Sequence, residues 1–274
     1  SVPYELSIVE LGEDPEGRDN DPVLKTFSVK EPHSQPIHPG SYVHVPKGLP
    51  SNRRLSQLTM ECWIRPFNLS GWQGLITQHD YPGNAGIGLF LQNGHIEFLT
   101  GSGDEFENAA IHRTAPDLIK ANLWQHVVGT WDGKMKRIYI NGSLVAEFPF
   151  VGVVRPGNTD LRLGAYGTEG SASNFYNGDL AMCALYDTAL SIERVRERYT
   201  DRGLTPPKDK SVLACWSFSE ERGEKVSDSG TGSRHGQIIN RGTWMIGGPG
   251  FDAAKIDRHD EKYDPVKDTD RGHG

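Results

Sequence analysis

Carboxylates, aromatic rings and histidines are spread thinly along this chain, and their spacing decides which chemistries are open to it. Glu61 in LTMECWIRPF (58–67) and Glu97 in GHIEFLTG (94–101) are each flanked by apolar residues, so each run offers one isolated carboxylate. Glycoside hydrolysis needs two, roughly 5–5.5 or 6.5–9.5 Å apart. These two could supply it only by facing each other on a concave sheet. Asp80 in HDYPGN, Asp179 beside Asn177 and Asp228 in SDSGTGS are oxygen donors of the kind calcium takes; the same Gly/Ser/Asn surroundings suit Asx turns. Trp72, Tyr81 and Phe175 stand near turn signals, where a ring can stack on a sugar or pack into its own turn. His33, His38 and His44 are too unevenly spaced for one rigid element to present them to a metal. The chain has no Gly-x-Ser-x-Gly nucleophile motif.

The elements that must position these residues are strands. With 32 Gly, 17 Pro and 24% charged residues in 274, the composition is that of a turn-rich β protein. A net charge of −7 repels phosphate backbones, and the absence of a Lys/Arg run with interleaved aromatics also argues against nucleic acid as a partner. No apolar run reaches the roughly 18 residues of a membrane span, so no membrane partner is expected. Cys62, Cys183 and Cys215 all fall in apolar strand patterns. Their odd number and wide spacing point to buried free thiols, which suits a cytoplasmic location.

The stretch from Leu123 to Phe148 carries two tight-turn signals, Asp132-Gly133 and Asn141-Gly142, and reads as a three-strand antiparallel meander. On its middle strand Ile138 and Ile140 share one face, Arg137 and Tyr139 the other. Residues 58–67 alternate in the same way, and Asn93-Gly94 turns 86–101 back on itself. LRLGAY (161–166), DLAMCALYD (179–187) and LACWSFSE (213–220) read as further strands. Ser191 caps one short helix, IERVRERY, which is expected to cover a sheet edge and to stop at Pro206-Pro207. The acidic stretch 13–21, residues 102–122 and residues 167–178 read as loops.

GSYVHVP (40–46), LTMECWIRP (58–66), LWQHVVGTWDGKMKRIYINGSLV (123–145) and YNGDLAMCALYDTALSIERVRERY (176–199) resemble, in that order, the laminin-G-like branch of the concanavalin A-like lectin/glucanase superfamily. The resemblance implies an all-β antiparallel jelly-roll sandwich. Two departures stand out. Ala181 and Met182 occupy the places of the family's acidic pair, and the segment 213–240, which looks like the family's first strand and loop, comes last. The expected fold is therefore circularly permuted, with the sandwich spanning 1–246 and 247–274 serving as a linker. Nor does any strand carry the alternating carboxylates of the glucanase relatives.

A narrower resemblance links YELSIVELG (4–12), QPIHPGSYVHVP (35–46), GWQGLITQHD (71–80) and DTDRGHG (268–274) to the N-terminal part of the large subunit of N,N-dimethylformamidase and its relatives. It implies a non-catalytic accessory domain attached to a downstream amide hydrolase. The iron of that family belongs to the downstream domain, so its ligands are carried over to no residue here, and calcium is the only metal considered for this chain. On this reading the partners are the catalytic domain and neighbouring subunits, met through the three loops over about 600–1,500 Å² and anchored by Phe106, Ile111, Phe175 and Tyr176. The alternatives are a carbohydrate-binding lectin-like module and a glycan-active hydrolase built on Glu61 and Glu97.

Overall fold

The computed structural model describes residues 40–46, 48–102, 110–220, 222–245 and 247–250. In chain order the first strands are β1 (Tyr42–Val45), β2 (Leu58–Pro66), β3 (Trp72–Gln78), β4 (Asp80–Tyr81), β5 (Ala85–Gln92), β6 (His95–Ser102) and β7 (Ala110–Arg113). The meander follows as β8 (Gln125–Trp131), β9 (Met135–Ile140) and β10 (Ser143–Pro149). Next come β11 (Leu161–Leu163), β12 (Tyr166–Thr168), β13 (Ser171–Ser173), β14 (Gly178–Tyr186), the helix α1 (Ile192–Asp201), β15 (Val212–Trp216), β16 (Lys225–Val226) and β17 (Gly236–Ile239).

Two antiparallel sheets form the jelly-roll sandwich: an eight-stranded one in the order β16-β17-β1-β11-β3-β5-β6-β7 and a six-stranded one in the order β10-β9-β8-β2-β14-β15. The C-terminal strands split between them, β15 pairing with β14 and β17 with β1. Period two does the sorting. Leu58, Met60, Cys62 and Ile64 of β2 meet Ile87, Leu89, Leu91, Ile96 and Phe98 of the other sheet in one core, while Trp63 joins a second cluster on the outer face of the six-stranded sheet. The meander forms with the expected turn chemistry: Asn141 and Gly142 take φ of 51° and 76°, as a primed two-residue turn requires. All three cysteines are buried and free.

Five sequence expectations are corrected. Residues 102–122 are not all loop, because Ala110–Arg113 adds an edge strand to β6; this is too short a run to show a period. LRLGAY is not one strand. Gly164 at φ 82° turns the chain out of the large sheet, and β12 and β13 form a separate small sheet with β4, so 167–178 is not a plain loop either. The helix stops at Arg202, whose left-handed φ of 56° caps it, well before the prolines. Its position also differs: Val195 packs into the cluster on the outer face of the six-stranded sheet, so it covers a face and not an edge.

Lys136 carries a cation into the core. Lys136 has the same parity as Ile138 and Ile140 and is fully buried, its Nζ donating to the Ala110 carbonyl at 2.8 Å. The ammonium lies 4.3 Å from the Phe150 ring centroid and 5.4 Å from that of Phe98. Burial pulls its pKa down to about 7, and the ring faces work the other way by favouring the charged form.

Candidate functional site

A groove of about 660 Å³ opens at one rim of the sandwich. It is assembled where several elements begin or end: Ser41 and Tyr42 at β1, Phe67 after β2, Trp124 before β8, the run 175–181 entering β14, Arg202–Leu204 after α1, and 241–245 after β17. Such volume and mixed lining are usual for a small-molecule site. Gly40 makes part of it possible, since a Cβ there would stand 2.4 Å from the Phe175 ring, which instead lies 5.9 Å from Tyr42 in a tilted pair.

Its polar groups are held in place by neighbours. Arg65 on β2 stands directly across from Asp179 on β14 and bonds it at 2.7 Å. The same guanidinium lies over the Trp124 ring at 5.3 Å and the Phe67 ring at 5.9 Å. Arg202 donates twice to the Pro249 carbonyl, at 2.8 and 2.6 Å, and covers Trp63 at 5.6 Å. Trp244 is fixed through Nε1 to the Gly223 carbonyl at 2.6 Å and packs on Phe218. Phe67 is 51% exposed, Asn177 is exposed, and Trp124, Phe175 and Trp244 are half-buried. The groove lining therefore combines aromatic rings with hydrogen-bonding groups.

Of the residues singled out from sequence, Asp179, Phe175 and Tyr176 reach this groove. Tyr176 is 8% exposed and packs into the core, so it does not serve as a surface anchor. Ile111 is partly exposed on β7, and Phe106 and the stretch 13–21 lie outside the described residues. Trp72 packs on Phe90 and Tyr166 on the outer face of the eight-stranded sheet, while Tyr81 is 60% exposed away from the groove lining. Sequence reading missed Tyr42, Phe67, Trp124, Arg202, Arg241 and Trp244, because no local pattern ties such distant segments to one place.

Glu61 and Glu97 do not face each other, which corrects the hydrolase alternative. Each alternates with core residues on its own strand, so both point outward, on opposite faces of the sandwich. Glu61 is fully buried beneath α1, bonded to His126 Nε2 at 3.0 Å, to the Tyr186 hydroxyl at 2.5 Å and to Arg198 Nε at 3.0 Å. Burial pushes its pKa up, but the bonds and charges of His126, Arg198 and Tyr186 together outweigh that and hold it below the usual carboxylate range. Glu97, paired with Arg113 at 3.1 Å, is raised by burial despite that partner. Asp179 is the one carboxylate among the described groove residues, so no acid–base pair is gathered there.

Each aspartate considered for calcium already has protein partners. Asp80 accepts from Arg162 and Thr159 Oγ1, both at 2.9 Å. Asp228 accepts from the backbone N–H groups of Cys215, Gly230 and Arg234 at 2.7–2.8 Å, the Asx-type use of such a residue. Among the described residues no three His, Cys, Asp or Glu side chains are grouped to hold a metal. His44 pairs with Asp160 at 2.7 Å; His33 and His38 lie outside the described residues.

The two sheets define a concanavalin A-like jelly-roll sandwich. Residues 39–196 match the family model for the concanavalin A-like lectin/glucanases superfamily, and the chain belongs to that superfamily. Among solved structures it is similar to a candidate carbohydrate-binding protein from Bacteroides ovatus, with 15% identity over 78% of this chain and a TM-score of 0.56. It spans 64% of that protein, less than two thirds of its length. The CBM40 of the Ruminococcus gnavus IT-sialidase, bound to α2,3-sialyllactose, shares 15% identity over 58% of this chain and 92% of that one, at a TM-score of 0.47. A native heptameric SAP-like pentraxin from Limulus polyphemus shares 16% over 73% and 94%, at 0.46. At these identities the likeness is one of fold. No curated protein matches the chain, and no helix among the described residues is long and apolar enough to cross a membrane.

Proposed function

We propose that this chain is a carbohydrate-binding, lectin-like module whose ligand site is the rim groove. The observation that carries the reading is the mixture in its lining of half-buried rings, Tyr42, Trp124, Phe175 and Trp244, with the hydrogen-bonding groups of Ser41, Asn177, Asp179 and Thr243. A sugar ring presents an apolar C–H face and a rim of hydroxyls, and this lining complements both. The superfamily to which the chain belongs supports the same reading. The accessory role beside an amide hydrolase rests in part on 4–12 and 268–274, outside the described residues, and no curated relative supports it. The sugar-binding reading therefore takes its place.

Trp244 provides the test. Its indole is fixed by the bond to Gly223, so it offers a rigid face, and such aromatic anchors dominate contact energies. Trp244→Ala should weaken binding of the best glycan on an array by about 1–2 kcal/mol, about five- to thirtyfold, in isothermal titration. Unchanged affinity with an unchanged melting temperature would remove the groove as the site.

A further inference from the structure

We infer that Arg241 makes the rim groove selective for acidic sugars, its guanidinium pairing with a carboxylate or sulfate oxyanion on the ligand. The inference rests on the groove being a sugar site and adds the class of sugar. It starts from charge. The charged residues lining the described groove are Arg202, Arg241 and Asp179, and Asp179 is already neutralised by Arg65. The groove lining is thus locally cationic, which favours an anionic ligand.

The two lining arginines differ in what they are free to do. Arg202 is committed to the Pro249 carbonyl and the Trp63 ring face. No ion pair engages the exposed Arg241 among the described residues. Its backbone is also unusual: Asn240 and Arg241 are consecutive non-glycine residues in the left-handed region, both at φ 59°. Asn tolerates that region and Arg rarely adopts it. The turn is pinned to β1, with Asn240 Nδ2 donating to the Gly40 carbonyl at 2.7 Å and Ser41 Oγ donating to the Asn240 carbonyl at 2.5 Å. A glycine would sit at position 241 without strain, so what this position gains from arginine is the side chain, held at the lip of the groove by a fixed turn. A planar guanidinium matches carboxylate and sulfate oxygens through two parallel N–H donors.

The experiment is an array of uronate oligosaccharides, sulfated oligosaccharides and sialyllactose beside their neutral counterparts, followed by titration calorimetry on the full chain. The wild type should bind an acidic member about tenfold or more tightly than its neutral partner, and whether the carboxylated or the sulfated arm carries that preference identifies the anion. Arg241→Gln should abolish the preference. Arg241→Gly should abolish it too while keeping or raising the melting temperature, since it relieves the backbone, so a folding defect cannot imitate the result. Equal binding of acidic and neutral sugars by the wild type, or a preference that survives both substitutions, overturns the inference and leaves the sugar site standing. Binding of no glycan at all overturns both.

Discussion

Replacing Glu61 by alanine is expected to lower the unfolding free energy by about 3–5 kcal/mol and the melting temperature by about 10 °C. The reason is what the substitution leaves behind. Glu61 is the shared acceptor for His126, Tyr186 and Arg198, and Arg198 comes from α1, so one carboxylate ties the helix to the sheet. Without it the 7%-exposed Arg198 keeps its charge next to an apolar cluster with its main partner gone. The double variant Glu61→Leu/Arg198→Met should recover most of the loss, because removing both charges avoids the desolvation cost that removing one exposes. The pH dependence has a definite sign. A carboxylate whose folded pKa is depressed stabilises fully above its unfolded pKa, near 4.5, and that stability disappears as pH falls below it toward the folded value. Denaturant titrations at pH 7 and pH 4 measure both effects. A loss under 1 kcal/mol in Glu61→Ala, or no recovery in the double variant, would show that packing alone holds the helix.

Lys136 should act in the opposite direction. Its folded pKa of about 7 lies far below the ordinary 10.5, so between those values the unfolded chain binds more protons than the folded one. Stability should therefore rise with pH from 7 toward 10.5, by up to about 3–5 kcal/mol in all, with the full penalty present below pH 7. The cation–π contacts with Phe150 and Phe98 reduce that figure. Above about pH 9 the buried thiols oppose the trend: burial pushes Cys215 up to about 11 and Cys62 higher still, so the unfolded chain loses those protons first. The comparison is thus between wild type and Lys136→Met. Methionine fills the aromatic pocket without charge, at the cost of leaving the Ala110 carbonyl without its donor. The variant should be more stable than wild type at pH 7, by about 1–3 kcal/mol, and the two should converge by pH 9. Parallel pH profiles for the two proteins would mean that the amine stays charged in the core.

What could be read from the sequence follows a physical line. Asn93-Gly94 and Asn141-Gly142 are local turn chemistry, so the hairpins they make were legible, as were the alternation of β2 and the Ser191 cap. The burial of Lys136 was also there to be read, since it shares parity with Ile138 and Ile140; that of Glu61 was not, because it depends on a helix that covers the outer face of the sheet and not its edge. The brevity of β7, β12 and β13, at three or four residues each, hid them, because no period shows in so short a run. The groove was hidden for another reason. Tyr42, Trp124, Asn177, Arg202 and Trp244 come together only after both sheets have closed, and nothing in any one segment marks it as a partner of the others.

The central claim is that ligand meets this protein at the rim groove, and chemical-shift mapping during titration of the best glycan on the array tests it most directly. The largest perturbations should fall on Tyr42, the Trp124 and Trp244 indoles, Phe175, Asn177 and Arg241. Perturbations centred instead on the outer face of the eight-stranded sheet, at His44, Gln92, His95 and Arg113, would contradict the account.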